Sequence, residues 1–167
     1  DDTVTVRIAR SEMGQGTLTG LAQLVAEELD ADWDKVTTEY PTPGENLRRE
    51  RVWRDFGTGG SQGIRGSHDY VREGAAAAKI MLIEAAANEW GVPASECTAE
   101  KSVITHGPSG QTTTYGAVAN AAAELAPPLE VSLKDPSDWK IIGQAKKRLD
   151  TADKLTGAQA YGADLQL

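Results

Sequence analysis

The sequence predicts an α+β fold in which layered strands and helices surround a long, buried, alanine-rich helix. Near the amino terminus, two short segments with strand-like apolar patterns flank a segment with helical apolar spacing. A much longer helical segment follows, and glycine or proline residues separate these elements. The 167 residues are enough for one sizeable core, and 40% hydrophobic with 25% charged residues is ordinary for a globular domain.

The charge balance disfavours two classes of partner. The chain carries 25 acidic and 17 basic side chains, and its net charge of −8 repels nucleic-acid phosphates and anionic lipid headgroups. We therefore expect no nucleic-acid partner. No apolar run reaches the roughly 18 residues of a membrane-spanning helix, so no such segment is predicted. The single cysteine, Cys97, excludes an internal disulfide and is compatible with a cytoplasmic or a periplasmic location.

The amino-terminal part predicts a strand, a helix and a second strand. Residues 3–10 alternate between apolar and polar types, and residues 18–29 place leucine and valine at helical spacing. Thr17 or Thr19 is expected to cap that helix, because a threonine hydroxyl can accept a backbone N–H at a helix start. Residues 35–40 form the second strand, which can run parallel or antiparallel to the first.

Residues 41–66 are predicted to form a long loop, because prolines and glycines recur along this stretch. Loops beyond about 12–15 residues are usually functional or disordered. Ser67 is expected to begin the alanine-rich helix, which runs to about Trp90. Gly91 then supplies a left-handed helix end, and Pro93 prevents continuation. Alanines on several faces of this helix indicate that neighbouring elements pack closely against it.

The pattern after this helix predicts a hairpin and one further helix. Residues 102–106 and 111–113 form the two strands of the hairpin, on either side of a Gly-Pro-Ser-Gly turn. Thr114 begins a helix that ends near Leu125.

A domain boundary is predicted near Pro127, where the composition changes. Residues 1–126 form the first unit and residues 127–167 the second. Within the second unit the pattern predicts short strands at 129–133, at 139–142 and from 160 onward, and one helical turn at 151–155.

No familiar catalytic set stands out in the sequence. His68 and His106 lack metal-ligand spacing and are expected at the surface or beside caps and turns. Cys97 is expected to be a packing residue, because no partner base is indicated. The sequence has no P-loop, nucleophile elbow or paired-cysteine motif, so we predict no catalytic residue and no metal ligand. The four tryptophans are expected to anchor the core, and the arginines of residues 48–54 form a solvated loop or attract anions.

Two glycine-rich segments are the candidates for a binding site. In the first, Gly14, Gln15 and Gly16 lie between a strand and a helix, where backbone N–H groups and the positive helix end favour anionic ligands. Gln15 offers both donors and an acceptor, which suits the edge of a heterocycle or a phosphate oxygen. Taken alone, this short pattern fits an ordinary turn better than a binding site.

The second candidate segment spans residues 57–66 and precedes the alanine-rich helix. Its successive backbone N–H groups, the hydroxyls of Thr58 and Ser61, and the guanidinium of Arg65 form a candidate pyrophosphate site. A flexible turn is the alternative interpretation. The spacing differs from the dinucleotide-binding fingerprint, and no strand leads directly into the segment.

Several stretches of the chain follow the order of motifs in a known family. They are SEMGQGT at 11–17, LVAEELD at 24–30, GTGGS at 57–61 with IRG at 64–66, WGVPASEC at 90–97, LKDP at 133–136, IG at 142–143 and KRLD at 147–150. Together these stretches cover nearly the whole chain, and their joint match is specific although each alone is not. The chain resembles the large, molybdopterin-binding subunit of the xanthine dehydrogenase and aldehyde oxidase family, closest to its isoquinoline 1-oxidoreductase beta-subunit type.

The resemblance implies a part in a molybdenum hydroxylase. The parent protein would bind molybdopterin cytosine dinucleotide, oxidise an aldehyde or N-heterocycle with oxygen from water, and pass electrons to an iron–sulfur small subunit. Gln15, between Gly14 and Gly16, corresponds to the family's M-G-Q-G glutamine, which contacts the cofactor. The family's G-G-S loop approaches the molybdenum site and the phosphates, which adds four cofactor-binding candidates: Gly60, Ser61, Gln62 and Gly63.

One departure from the family pattern bears on what this chain does alone. The family's catalytic glutamate lies in a G-x-G-E-type motif near the far carboxyl terminus of the subunit, and nothing here aligns with it, since Gly44-Glu45 lies in the wrong place. Residues from about 127 resemble the linker and start of the family's hammerhead domain. We expect a fragment that depends on the remainder of the large subunit, carries no cofactor by itself and is inactive alone. The alternative is a stand-alone, non-catalytic binding or scaffold module with anion-binding glycine loops.

Overall fold

The fold begins with a strand, a helix and a strand that pairs with the first. In this computed structural model, which describes residues 2–54 and 56–166, β1 (Val4–Arg7) pairs in parallel with β2 (Val36–Glu39). α1 (Thr17–Glu28) makes the connection between the two strands. The alternation predicted for the first strand is confirmed, because Val6 and Ile8 face the core and are buried.

The stretch predicted as a long loop contains a short helix, α2 (Pro43–Arg48). The hydroxyl oxygen of Thr42 accepts the N–H of Glu45 at 3.1 Å, and proline at the first helical position fits the fixed φ of that residue. The prediction of an uninterrupted loop over residues 41–66 is therefore wrong in its first part. The side chain of Asn46 is buried, and it closes the turn that follows α2 by bonding to the backbone of Trp53 and Arg54.

The alanine-rich helix is α3 (His68–Trp90), and Gly91 ends it with a φ of 66°, as predicted. α3 packs on α1 and on α4 (Tyr115–Ala123). The small side chains on its inner face are buried and allow this close approach: Ala75, Ala76, Ala85, Ala86 and Ala87. The elements that pack against α3 are chiefly helices. The face of α3 around Ile80 is exposed. The predicted α+β class is confirmed, with the long helix between two others.

A second, antiparallel sheet lies at the carboxyl-terminal end of α3. Its strands are β3 (Cys97–Glu100), β4 (Val103–His106) and β5 (Thr112–Thr114), in that order. β4 and β5 are the predicted hairpin, whereas β3 was not predicted. The turn from β3 to β4 consists of Lys101 and Ser102, both with positive φ, and neither residue type signals such a turn in a sequence.

Residues 127–150 run across α1 without forming a strand, and the strands predicted at 129–133 and 139–142 are wrong. The reason is that backbone N–H groups in this segment bind side-chain carboxylates instead of a neighbouring strand. Glu28 accepts the N–H of Lys134, and Glu27 accepts three consecutive N–H groups of residues 140–142. The segment is therefore held to α1 at residue 134 and at residues 140–142, in an irregular conformation.

The last elements are α5 (Thr151–Thr156), which confirms the predicted helical turn, and a single 3-10 turn at Gly162–Asp164. That turn stands where a strand was predicted from residue 160, so this prediction is wrong as well. The turn is stabilised by a local hydrogen bond, in which the carboxylate of Asp164 accepts the N–H of Tyr161 at 2.9 Å. None of the helices in the described part of the chain combines the length and apolar character needed to cross a bilayer.

The single cysteine and the two histidines serve local structure. Cys97 is buried in β3, as expected for a packing residue, and burial raises the pKa of its thiol. His106 is buried and not at the surface, but it lies beside the hairpin turn as the other predicted alternative has it, with its Nδ1 2.7 Å from the Ser109 hydroxyl and its Nε2 2.9 Å from the Glu96 carboxylate. His68 lies beside the carboxylate of Asp69, with its Nδ1 at 2.8 Å.

The four tryptophans are partly buried. Trp33 and Trp90 pack against the core, in agreement with the prediction. The other two carry arginine guanidinium groups over their rings, Arg49 over Trp53 and Arg72 over Trp139.

Candidate functional site

The two glycine-rich segments of the sequence lie side by side in the structure. The Thr58 hydroxyl donates to the carbonyl of Ser11 at 3.2 Å across a separation of 47 residues. Gly63 lies buried against Thr17, and a Cβ on Gly63 would stand only 2.6 Å from the Thr17 hydroxyl oxygen. The second segment can therefore approach the start of α1 only because residue 63 has no side chain.

The first segment, residues 13–16, is a turn built around one buried carboxylate. Glu12 Oε1 accepts the N–H of Gly14 at 2.7 Å and of Gly16 at 2.9 Å, and Oε2 accepts the N–H of Leu18 at 3.0 Å. Gly14 and Gly16 have φ values of 98° and 85°, which favour glycine over residues with a side chain. This turn corrects two expectations. Neither Thr17 nor Thr19 caps α1 with its side chain. The backbone N–H groups expected to bind an anionic ligand already have an anionic partner, the Glu12 carboxylate.

Arg148 completes the ion cluster beneath this turn. Its Nη2 lies 3.1 Å from Glu12 Oε1, and its Nη1 donates to the carbonyl of Gly14 at 2.8 Å. The same guanidinium makes two hydrogen bonds to Asp150, whose carboxylate also accepts from Lys154. A segment more than 130 residues along the chain is thus tied to the first glycine turn.

The electrostatics of the cluster favour the charged forms of all three groups. Burial alone would raise the pKa of the Glu12 carboxyl, but the N–H groups of Gly16, Leu18 and Gly14 and the charge of Arg148 lower it below its usual range. Hydrogen bonding to Arg148 lowers the pKa of Asp150, and the Asp150 carboxylate raises the pKa of Arg148 in turn.

Gln15 is exposed at the outer edge of the turn, and its side-chain amide folds onto the backbone. Its Nε2 donates to the Ser11 carbonyl and to the Thr17 hydroxyl, both at 3.0 Å. Its Oε1 accepts the N–H of Met13 at 2.6 Å. Both amide hydrogens are therefore engaged, while Oε1 keeps one acceptor position for a further donor.

The second segment presents backbone at the surface. Gly60, Ser61 and Gln62 are exposed, and the first two have φ values of 65° and 60°. The Ser61 hydroxyl bonds to none of the residues that the structure describes, so it is available to a ligand. Arg65, a predicted member of the pyrophosphate site, donates from its Nη2 to the carbonyl of Gly60 at 3.3 Å.

A groove of about 700 Å³ lies beside the first turn. Its lining brings Glu12 and Gly14 together with Tyr40 from the end of β2 and with Asp150 and Tyr161 from the carboxyl-terminal segment. Gln15 and residues 60–63 lie outside this lining. Across residues 2–54 and 56–166, no three histidine, cysteine or acidic side chains are arranged to hold a metal ion.

Glu12 and Arg148 are site residues that reasoning from the sequence missed. Each carried a signal in the sequence. Glu12 is a carboxylate two residues before a glycine turn that opens a helix, and Arg148 belongs to the KRLD stretch that resembles the family. Neither signal indicates that the two side chains meet, because this contact depends on the path of residues 127–150 across α1.

Comparison with known proteins agrees with the resemblance found in the sequence. Residues 1–164 match a family described as the molybdopterin cofactor-binding domain. The chain is 29% identical over 201 residues to the beta subunit of isoquinoline 1-oxidoreductase from Brevundimonas diminuta, with all of this chain and 26% of the relative covered. It is 31% identical over 176 residues to a membrane-bound aldehyde dehydrogenase (pyrroloquinoline-quinone) of Gluconacetobacter polyoxogenes, covering all of the chain and 21% of that relative.

A third relative is a subunit of nicotinate dehydrogenase from Pseudomonas putida, 29% identical over 159 residues, which cover 93% of this chain and 13% of the relative. The chain spans about a quarter or less of the length of these curated relatives. The family match extends over nearly every residue of the chain, including both glycine segments and the Arg148 cluster. The chain belongs to the family of molybdopterin cofactor-binding domains.

Proposed function

We propose that this chain supplies part of the wall of a molybdopterin site in the large subunit of a molybdenum hydroxylase. The observation that carries the proposal is the convergence of the two glycine segments, with Gly63 buried against Thr17. The convergence places the exposed amide of Gln15 and the exposed backbone of Gly60 and Ser61 on neighbouring loops.

The residues present fit a pterin and its phosphates better than they fit a bare metal ion. Gln15 Oε1 has one acceptor position left for a ring N–H, and the Ser61 hydroxyl is available as a donor to a phosphate or carbonyl oxygen. Gly60 lets a ligand approach the backbone closely, because nothing within 4 Å occupies the place of its Cβ. When bound, the cofactor supplies the oxidation of substrate with oxygen from water.

The finer assignments are also part of this proposal. The cofactor is molybdopterin cytosine dinucleotide, the substrate of the parent protein is an aldehyde or an N-heterocycle, and an iron–sulfur subunit receives the electrons. Residues 1–126 belong to the cofactor-binding domain, and residues 127–167 are the linker and the start of a hammerhead-like domain. The chain is inactive without the remainder of the large subunit, because nothing in its sequence aligns with the family's catalytic glutamate. Glu45, which follows Gly44 but lies in the wrong place for that glutamate, pairs with Arg7 at 3.1 Å at the start of α2.

The experiment is Gln15→Ala in the full-length large subunit, expressed with its partner subunit. We expect less molybdenum by elemental analysis and less pterin fluorescence after denaturation. Leaving a buried partner without its hydrogen bond costs about 1–3 kcal/mol, which is about 5- to 150-fold in affinity. The melting temperature of the apo-protein should change little, because Gln15 is exposed and supports only its own turn.

Gln144→Ala is the matched control, since this exposed glutamine lies outside both glycine segments. It should retain normal molybdenum content. Normal molybdenum and activity in Gln15→Ala would show that Gln15 is only a turn residue. A large fall in the melting temperature of the apo-protein would show a structural role instead.

The second candidate function is a stand-alone binding or scaffold module, favoured by glycine turns that are complete without any cofactor. The surrounding reading frame distinguishes the two candidates. A continuation with further glycine-rich motifs and a late Gly-Glu supports the hydroxylase subunit, whereas a stop codon after residue 167 supports the module.

A further inference from the structure

Glu12 holds the turn that carries Gln15 in a way that no sequence motif assigns. The Glu12 side chain is 8% exposed, and three backbone N–H groups donate to its carboxylate over distances of 2.7–3.0 Å. Two of these N–H groups, those of Gly16 and Leu18, lie at the start of α1, where an anion would bind. The carboxylate therefore stands in the place of a bound phosphate at this position.

Arg148 also holds this turn, through a second set of contacts. Its guanidinium contacts the Glu12 carboxylate and the Gly14 carbonyl at once, and Asp150 fixes its orientation through two hydrogen bonds. The backbone of Gly14 is thus tied at both polar groups, the N–H to Glu12 and the carbonyl to Arg148. A lysine at position 148 would keep the charge but has no planar fork to make these contacts together.

We propose that Glu12 and Arg148 are positioning residues, which fix the first glycine turn so that Gln15 presents its amide to the cofactor. The proposal rests on the proposed function, because it assigns to Gln15 the cofactor contact. It adds that the N–H groups of Gly14, Gly16 and Leu18 do not bind the phosphates of the cofactor. It also implies that the segment after residue 147, which carries Arg148 and Asp150, contributes to cofactor binding.

The test uses Glu12→Gln and Arg148→Met in the full-length protein, with Arg148→Lys as the conservative variant. Hydrogen exchange of the peptide covering residues 11–20 reports the order of the turn, and elemental analysis reports molybdenum content. We expect exchange in this peptide to rise about fivefold or more in Glu12→Gln and Arg148→Met, with a parallel loss of molybdenum. Arg148→Lys should be intermediate in both measurements. Exchange in α3 should stay at the wild-type rate, which distinguishes loss of the turn from loss of the fold.

Two further variants make the outcomes distinguishable. Glu100→Gln, at an exposed carboxylate 3.5 Å from Lys140, should match the wild type in both measurements. Gln15→Ala tests the proposed function separately, and it should lose molybdenum while the N–H groups of Gly16 and Leu18 stay protected.

Unchanged exchange in Glu12→Gln and Arg148→Met would overturn the positioning role. The positioning role would also be overturned if Glu12→Gln and Arg148→Met showed raised exchange but normal molybdenum content while Gln15→Ala lost molybdenum. Normal molybdenum in Gln15→Ala would overturn the proposed function of Gln15, and the positioning role would fall with it. If Glu12→Gln fails to fold, Arg148→Lys and Arg148→Met decide by the same two measurements.

Discussion

The guanidinium of Arg72 lies 2.7 Å from the carboxylate of Glu28, and this ion pair joins α3 to α1 in the interior of the protein. Glu28 is 1% exposed and Arg72 is 8% exposed at the side chain. Further hydrogen bonds join the pair to Lys134, because Glu28 Oε2 accepts the N–H of Lys134 and Arg72 Nη2 donates to the carbonyl of the same residue. The pair therefore fixes residue 134 to both helices.

Arg72→Met should destabilise the protein strongly, because it leaves the Glu28 carboxylate buried without its cation. Removing one partner of a buried pair costs about 3–5 kcal/mol. Urea unfolding measures the loss. Arg7→Met is the matched control, at an exposed pair in which Arg7 lies 2.6 Å from Glu39, and it should cost far less because water screens an exposed pair. Equal losses in the two variants would contradict the structural role of Arg72.

The stability of the protein should decrease in acid through Glu27. Burial would raise the pKa of this carboxyl, but the N–H groups of Ile141 and Ile142 and the ammonium of Lys134 lower it below its usual range. A carboxyl whose pKa is lowered by folding stabilises the protein above its unfolded pKa, about 4.3 for glutamate. That stabilisation is lost as the pH falls from about 4.3 through the folded pKa, by at most about 1.4 kcal/mol per pH unit for one group.

Glu27→Gln tests this pH dependence. The variant should be less stable than the wild type at pH 7, and the difference should narrow below about pH 4 as the wild-type carboxyl takes up its proton. Unfolding free energies measured in urea from about pH 7 to about pH 3 give the comparison. A difference that stays constant over this range would show that Glu27 does not titrate in the way described.

Gly63→Ala should destabilise the contact between the two glycine segments. The added methyl group would meet the Thr17 hydroxyl oxygen at 2.6 Å, and such overpacking costs about 1–3 kcal/mol. Gly59→Ala is the control, because its Cβ would meet nothing within 4 Å. The double variant Gly63→Ala with Thr17→Ala should recover part of the loss, because the clashing atoms are removed. Thermal unfolding of the wild type, of Gly63→Ala and Thr17→Ala alone and of the double variant measures the coupling, and additive effects would contradict the contact.

Replacing an alanine of α3 by leucine should destabilise the protein more where the alanine is more deeply buried. Ala86 is fully buried, so Ala86→Leu should cost about 1–3 kcal/mol through overpacking. Ala77 is only half-buried, so Ala77→Leu should cost less. Melting temperatures of the two variants make the comparison. A larger loss for Ala77→Leu would place the inner face of α3 on the other side of the helix.

The α+β class, the first strand and helix, the second strand, the long helix and the hairpin could be predicted because their signals are local. Apolar periodicity indicates which face of a segment is buried. Gly91 ends α3 by its own left-handed conformation, whatever the path of the residues that follow. The resemblance to a molybdopterin-binding large subunit was also readable, since motif order is a property of the sequence itself. The strands predicted at 129–133 and 139–142 failed because β-type patterns there lacked any neighbouring strand to pair with.

The sequence by itself thus determined the main elements, the glycine turns and the family. Only the tertiary structure decided what those turns contact. A sequence shows that Glu12 and Glu27 are carboxylates, but the contact of Glu12 with Arg148 and of Glu27 with the N–H of Ile141 depends on segments more than 100 residues away. A charge is worth burying only where its donors are assembled by the fold, as Arg148 and the N–H groups of residues 140–142 are here.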